Sequence, residues 1–278
     1  MRKLICIFII TVICGQVQSQ NLSIIDALHL NEELDYKTRK PTRIIERNTS
    51  FDLNDKESND KTIKHFDGAG LLLSYEFYGN NDSLFARVTY VNDTVNRTKL
   101  SRVLEVWARN GLHRETSIYT YSASNILEGT TDLDDKGNII RRTKIICNDK
   151  GHPTQLSLLD GNGKLFNKER ATYFYNTNKV LKTAETSDGI VLSSEDSSKI
   201  SLKYQSNFPN KYEVFNRNGD LVRWKGKNFI DKDIDYEREY VYDEYGNWIE
   251  SKIFQLTRGT DGKPIRKIRQ KVMREFNY

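Results

Sequence analysis

The sequence predicts a mostly β protein, an antiparallel meander of repeated β-hairpins. Three observations over its 278 residues predict this fold class. Strand-favouring aromatic residues are abundant, with 15 Tyr, 12 Phe and 3 Trp against 4 Pro. The pattern Asn/Asp-x-x-Gly recurs along the chain, and such pairs of residue types mark turns. The segments between its copies alternate with a period of two, which is typical of strands.

Residues 1–19 have the organisation of a secretory signal peptide. Arg2 and Lys3 form a basic region, and the apolar run 4–14 follows. That run is too short to span the roughly 30 Å of a bilayer core. Val17 and Ser19 supply small or modest side chains at the −3 and −1 positions, which places the predicted cleavage between Ser19 and Gln20.

Export is therefore predicted, to the periplasm, the outer surface or the extracellular space. A lipid anchor at Cys14 is disfavoured, because Ile13 is too large for the residue that precedes an acylated cysteine. Cleavage leaves Cys147 as the single thiol, so no internal disulfide framework is expected. The formal net charge of +5 falls by two, and a well-mixed chain of this charge predicts no nucleic-acid partner. The mean hydropathy of −0.67 excludes a polytopic membrane protein.

Residues 20–60 are predicted to be an irregular N-terminal region with a first strand. Ser23 ahead of Ile24, Ile25 and Leu28 is the pattern of a short capped amphipathic helix. The polar segment 53–61 is expected to be a loop. Residues 61–278 form the predicted repetitive β domain, with no linker that would divide it.

The recurring pattern has a physical reason. Asp or Asn at the first position of a type I turn accepts a hydrogen bond from the backbone two residues on. Gly at the fourth position takes the left-handed conformation that closes a hairpin with a one-residue bulge. The six copies are Asp67–Gly70, Asp134–Gly137, Asn148–Gly151, Asp160–Gly163, Asn216–Gly219 and Asp243–Gly246.

Apolar residues flank these turns and should enter the same sheet. The residue before each turn is apolar in all six copies, and the residue two past each Gly is apolar in five. The segment 100–107 has the spacing of a helical face, but Val103 to Trp107 runs straight into a weaker copy of the turn, which favours a strand. The flanking pairs are Phe66 and Leu72, Leu133 and Ile139, Cys147 and Pro153, Leu159 and Leu165, Phe215 and Leu221, and Tyr242 and Trp248.

The segment from Tyr242 to Trp248, Tyr-Asp-Glu-Tyr-Gly-Asn-Trp, resembles the YD-repeat (Rhs-like) unit, with degenerate copies at residues 66–70 and 133–138. The chain is similar over residues 40–278 to short secreted bacterial proteins that bear such repeats. Among long members, the resemblance implies strands coiled into a shell around a toxin, and some repeats are credited with binding carbohydrate. This chain is too short to enclose a cargo and shows no toxin domain, so the shell role does not transfer.

Patterns of catalytic or metal-binding residues are absent from the sequence. The four His lack metal-ligand spacing, and the common nucleotide, zinc-protease and serine-hydrolase motifs are missing. Cys147 at a strand position indicates a buried, inert thiol rather than a nucleophile. The alternating acids 231–237 could ligate calcium, but a solvent-facing strand is favoured because the calcium loop is missing. The basic stretch 258–274 indicates a solvated or edge-guarding face rather than an anion site.

Aromatic residues offer the one argument for binding. Trp107, Trp224 and Trp248 are the candidate ligand-binding residues, as a stacking platform for sugar rings, with core packing as the competing interpretation. The leading hypothesis is a non-enzymatic envelope module that recognises a glycan or a protein partner, without cofactor, metal or catalytic residues. The alternative is a hydrolase of cell-surface polymer that uses carboxylates gathered by the fold. The same platform would include Tyr173, Tyr175, Tyr240 and Tyr242.

Overall fold

The computed structural model describes residues 22–28, 36–177, 179–199, 213–227, 233–258 and 264–278. Within these residues nearly all secondary structure is strand, and every strand pairing is antiparallel, which confirms the predicted fold class. The exceptions are a five-residue helix, α1 (Ile24–Leu28), and a 3-10 turn, Tyr175–Thr177. The three strands that open the chain are β1 (Arg43–Phe51), β2 (Glu57–Phe66) and β3 (Leu72–Tyr78).

Two compact units share the chain. The first holds α1 and a meander in which consecutive strands pair from β4 to β12. Its strands are β4 (Leu84–Asp93), β5 (Thr98–Ala108), β6 (Gly111–Tyr121), β7 (Leu127–Leu133), β8 (Ile139–Cys147), β9 (Pro153–Asp160), β10 (Leu165–Phe174), β11 (Lys179–Thr186) and β12 (Val191–Lys199).

The second unit joins both ends of the described strand series. Strand β1 pairs with β2 on one side and with β17, the last strand, on the other. These two units are defined by contacts between residues, whereas the predicted boundaries at residues 19/20 and 60/61 were drawn from the sequence. The units therefore do not test those boundaries, which stay predictions. The C-terminal strands are β13 (Val214–Phe215), β14 (Leu221–Lys227), β15 (Asp233–Tyr242), β16 (Trp248–Arg258) and β17 (Pro264–Asn277).

One five-residue turn connects most of the hairpins. In the copy that begins at Asp134, the Asp134 amide donates to the Asn138 carbonyl at 2.9 Å and the Gly137 amide donates to the Asp134 carbonyl at 3.1 Å. The Asp134 carboxylate accepts from the amides of Lys136 at 2.9 Å and Asn138 at 2.7 Å. The predicted hydrogen bond from two residues on is therefore present, and a second comes from four residues on.

The described residues contain ten such turns, four more than the pattern found. The fourth residue is left-handed in each, with φ between 59° and 85°. The other four turns have other residues in place of Asx or Gly: Asp55, Asp82 and Asn125 take the left-handed position, which Asn and Asp tolerate, and Thr186 replaces Asx in the turn with Gly189. The ten turns begin at Asp52, Asp67, Gly79, Ser122, Asp134, Asn148, Asp160, Thr186, Asn216 and Asp243.

The predicted flanking residues face each other across the hairpins. Phe66 pairs with Leu72, and the other five predicted pairs form in the same way. His65 then pairs with Ser74, which leaves Leu73 as the extra residue of a β-bulge. The hairpin with a one-residue bulge is thereby confirmed.

Side chains on the strands hold successive turns together. The Tyr173 hydroxyl donates to the Pro153 carbonyl at 2.6 Å, and Pro153 lies two residues past the left-handed Gly151. Three further acceptor carbonyls also lie two residues past a left-handed residue. These contacts are Tyr121 to the Lys99 carbonyl (3.0 Å), Tyr240 to the Leu221 carbonyl (3.2 Å) and the Cys147 thiol to the Leu127 carbonyl (3.9 Å).

Helix α1 completes the core of the first unit. Leu22 and Ile24 are buried against β9 and β10, with Ile24 fully inaccessible to solvent. The Ile24 amide donates to Glu169 Oε2 at 2.8 Å, and the Asp26 amide donates to the Ser23 hydroxyl at 3.2 Å. Ser23 therefore caps the predicted helix. The buried strand residues of this core are Leu127, Ile145, Leu156, Leu158, Ala171 and Val180.

The loop prediction for residues 53–61 is wrong in its second half. Strand β2 begins at Glu57, which pairs with Phe51 at the end of β1. The polar residues 58–61 that follow also pair with β1. Residues 52–56 form one of the ten turns instead of an irregular loop. Backbone pairing with β1 therefore outweighs the low strand propensity of Asn59 and Asp60.

Candidate functional site

The structure places Trp107 in the first unit, near the end of β5. Its side chain is 38% exposed, and the Arg87 guanidinium carbon lies 5.7 Å from its ring centroid. Trp107 pairs with Leu112 across the β5–β6 hairpin, and Leu112 is also exposed. Trp107 therefore lies on an accessible strand end and not in the core.

Trp224 and Trp248 belong to the second unit and lie on the same sheet face. Trp224 pairs with Tyr236, and Trp248 pairs with Tyr242 at the other end of β15. Because alternate residues of a strand share a face, Tyr236, Tyr240 and Tyr242 lie on one face of β15, with Arg238 between the first two. The strand thus connects the two tryptophans.

An unbroken series of rings and guanidinium groups fills this face. The Trp224 and Tyr236 rings stack with centroids 5.3 Å apart and planes 14° apart. The Arg238 guanidinium carbon lies 5.9 Å from the Trp224 ring and 5.6 Å from the Tyr240 ring. The Tyr240 and Trp248 centroids are 6.0 Å apart. We call Trp224, Tyr236, Arg238, Tyr240, Trp248 and Arg274 the aromatic face.

Arg274 closes the series beside β1. Its guanidinium carbon lies 3.6 Å from the Trp248 ring centroid, and its Nε donates to Glu46 Oε2 at 2.7 Å. One side of the Trp248 ring is therefore covered by a cation that is neutralised by a carboxylate. A ligand would stack on the rings of Trp224 and Tyr236 more readily than on this covered surface.

Polar side chains continue from Glu46 along β1 and its neighbours. Asn48 donates to Asp60 Oδ2 at 2.9 Å and accepts from the Gln270 amide group at 2.8 Å. Desolvation by burial raises the pKa of the Asp60 carboxyl above its ordinary value, and the hydrogen bond from Asn48 opposes that shift. Desolvation also raises the pKa of the Tyr240 hydroxyl. This face is therefore partly shielded from water, and its charges act at reduced dielectric.

The four tyrosines of the predicted platform also have a structural role. Tyr173 and Tyr240 bind carbonyls beyond the turns, as described above, and the Tyr242 hydroxyl donates to Asp220 Oδ2 at 2.6 Å. Tyr175 accepts from the Asn148 side chain at 2.8 Å. The Tyr173 and Tyr175 rings stack 5.7 Å apart in the first unit. These hydroxyls hold turns, so only the ring surfaces are left to contact a ligand.

A buried charge cluster lies in the first unit and bears on the hydrolase alternative. Arg141 Nη2 lies 3.6 Å from Glu115 Oε1 and 2.5 Å from Asp132 Oδ2, while Arg102 Nη2 lies 3.1 Å from Glu115 Oε1. Desolvation, followed by the charge of Asp132, raises the pKa of Glu115. The fold thus brings two carboxylates together, but both bind guanidinium groups. This arrangement is typical of a structural ion-pair network.

The remaining charged patterns have bound partners. Strand β17 pairs with both β16 and β1, so the basic stretch does not guard a sheet edge. The other half of that expectation, a solvated face, agrees with the exposed side chain of Arg266. Arg266 lies 3.2 Å from Glu237 and 2.6 Å from Glu239. Asp233 and Asp235 of the predicted acid cluster are exposed. Among the described residues, no three His, Cys, Asp or Glu side chains come close enough together to hold a metal ion.

Arg238 and Arg274 are the site residues that sequence reasoning missed. The signal for Arg238 was present in the alternation Tyr236, Arg238, Tyr240, which puts a cation between two rings on one face. Arg274 meets Trp248 because β17 pairs with β16, a register that the sequence pattern does not set.

Several predictions lie outside the described residues. Ser19, Gln20 and Cys14 belong to residues 1–21, so the signal peptide and its cleavage stay predictions. Asp231 of the acid cluster is likewise outside them. Among the helices that are described, none has the length and apolar character of a membrane span.

Comparison with known proteins gives structural similarity only. No family model and no curated protein matches the chain. A porin-like protein from Bacteroides uniformis ATCC 8492 is similar at 12% identity and a TM-score of 0.47, over 87% of this chain and 100% of that one. Two structures of TcdB2–TccC3 are also similar at 12% identity. The one without the hypervariable C-terminal region has a TM-score of 0.21, and the other has a TM-score of 0.23. The match covers 79% of this chain, which spans 16% of the length of those chains.

Proposed function

We propose that this chain is an exported, non-enzymatic module of the bacterial envelope, of the YD-repeat kind, and that it binds a glycan. The observation that carries the proposal is the aromatic face, where Trp224 and Tyr236 stack and Arg238 lies beside them. Sugar rings present apolar C–H surfaces to aromatic rings, and polar neighbours bind their hydroxyl groups. The signal-peptide pattern supports export, and the segment 242–248 supports the YD-repeat assignment.

Binding of immobilised and soluble oligosaccharides to residues 20–278 tests this proposal. Trp224→Ala should weaken binding of any recognised glycan by about tenfold or more, because a central aromatic anchor is commonly worth over 1.4 kcal/mol. Trp107→Ala is the matched control, since Trp107 is an exposed tryptophan that belongs to the first unit. Equal losses for the two variants, or no glycan bound at all, would contradict the proposal.

The hydrolase alternative has weaker support. Its best carboxylate pair, Glu115 and Asp132, is joined through the Arg141 guanidinium. A glycoside hydrolase needs carboxyl groups that contact the leaving group and the attacking water, whereas Glu115 is bound by Arg102 and Arg141 and Asp132 by Arg141. A protein partner in the envelope is the other candidate. In that case the immobilised chain would retain an envelope protein, and the Trp224→Ala variant would not retain it.

A further inference from the structure

Arg238 differs from the other described arginines around it in its partners. On the opposite face of the same strands, Arg223 and Arg266 both bind Glu237. Arg274 binds Glu46. None of the described carboxylates lies within ion-pair distance of Arg238, whose one hydrogen bond runs from Nη1 to the Tyr240 hydroxyl at 3.3 Å. Its positive charge is therefore not neutralised by the described part of the chain.

The surroundings of Arg238 increase the value of a bound anion. The Arg238 Nε is buried and has no hydrogen-bond partner among the described residues. The Trp224 and Tyr240 rings flank the guanidinium and keep water away from part of it. A buried donor and a charge without a counter-ion both cost free energy, and a carboxylate bound to the guanidinium group would neutralise that charge.

We propose that the aromatic face selects an acidic saccharide, with the sugar ring stacked beside Trp224 and its carboxylate bound by Arg238. This inference rests on the proposed function and names its ligand class. The planar guanidinium presents donors in a fork that matches a carboxylate, which a lysine ammonium does not. The hydroxyl groups of a neutral sugar could accept hydrogen bonds from Arg238, but they would leave its positive charge without a counter-ion.

Calorimetry with matched pairs of oligosaccharides tests the assignment. The probes are oligomers of galacturonate, guluronate, mannuronate and glucuronate, each beside the same oligomer with its carboxyl groups reduced to alcohols. Residues 20–278 should bind at least one acid about tenfold or more tighter than its reduced form, the difference expected for a charge-assisted hydrogen bond. Arg238→Gln should abolish that preference, so that the acid and its reduced form bind with equal affinity.

Two further variants separate the outcomes. Arg223→Gln removes the same charge from the opposite face and should keep the preference. Arg238→Lys keeps the charge but not the fork, and should lose most of the preference; thermal unfolding midpoints establish that each variant is folded. Equal affinity for acid and reduced forms, or a preference that survives Arg238→Gln, overturns the inference and leaves glycan binding in place. Failure to bind any saccharide overturns the proposed function itself.

Discussion

At the residue scale, two positions of each five-residue turn carry its specificity. In the turn that begins at Asp243, the first residue supplies an acceptor for two backbone amides, and the fourth adopts positive φ. At Gly246, φ is 78° and an added Cβ would meet no atom within 4 Å. Backbone conformation alone, without any clash, therefore explains glycine at this position.

Gly246→Val should lower the free energy of unfolding by about 1–2 kcal/mol or more, because a β-branched residue is strained in the left-handed region. Gly246→Asn should cost clearly less, since Asn tolerates that conformation. Urea midpoints of the variants measure the order.

Gly68 is the control for this pair, because an added Cβ there also meets nothing within 4 Å and its φ is not in the left-handed range. Val and Asn at Gly68 should both have small effects. If Val and Asn were equally costly at Gly246, conformational strain would not be the reason for the glycine.

The tyrosine tethers give a second prediction at this scale. Tyr173→Phe removes the 2.6 Å hydrogen bond to the Pro153 carbonyl, and the free energy of unfolding should fall by about 1 kcal/mol. Tyr119→Phe is the control, since no described residue makes a hydrogen bond with the Tyr119 hydroxyl. Chemical denaturation of both variants distinguishes them, and a loss at Tyr119 as large as that at Tyr173 would argue against the tether.

Residue-level prediction from sequence succeeded where the constraint is local. Asp134 and Gly137 determine a turn by themselves, so their pattern found it. The turn from Ser122 to Asn125 was missed because a hydroxyl and an asparagine satisfy the same geometry. The contact of Trp248 with Arg274 joins two consecutive strands and depends on the register between β16 and β17, which a local turn pattern does not encode.

At the scale of elements, α1 is short but deeply packed. A five-residue helix has little stability of its own, so its position depends on the burial of Leu22 and Ile24. The capping pattern at Ser23 predicted the helix from local chemistry. Its docking against β9 and β10 could not be predicted, because it joins residues more than 120 positions apart.

Ile24→Ala should lower the free energy of unfolding of the first unit by about 2–5 kcal/mol, as truncation of a fully buried isoleucine does. Leu112→Ala, at a side chain that is 51% exposed, should change it by less than about 0.5 kcal/mol. Denaturant unfolding followed by circular dichroism gives both values. Similar losses in the two variants would show that α1 does not pack on the sheet in solution.

At the scale of the whole molecule, the sequence predicted the class of fold and the antiparallel order of neighbouring strands. It did not predict that β1 lies between β2 and β17, because Arg43 and Asn277 are at opposite ends of the chain. It also did not predict two compact units, since no change in composition marks their limits.

Export is the prediction that belongs to this scale. Intact-mass measurement of the secreted protein should give a chain that begins at Gln20, because residues 1–19 have the three regions of a signal peptide. A lipid-modified species that begins at Cys14 would contradict it. The measured terminus would also lie two residues before Leu22, the first buried residue of α1's segment.

The regular turns have a genetic consequence. Asp134 and Asp160 begin equivalent turns, each after a leucine, Leu133 or Leu159, at the end of a strand. Loss of the coding segment between these equivalent points would join Leu133 to Asp160 and restore the same local sequence at the junction. Unequal recombination between such points can therefore remove or add two strands at once without creating a new kind of connection.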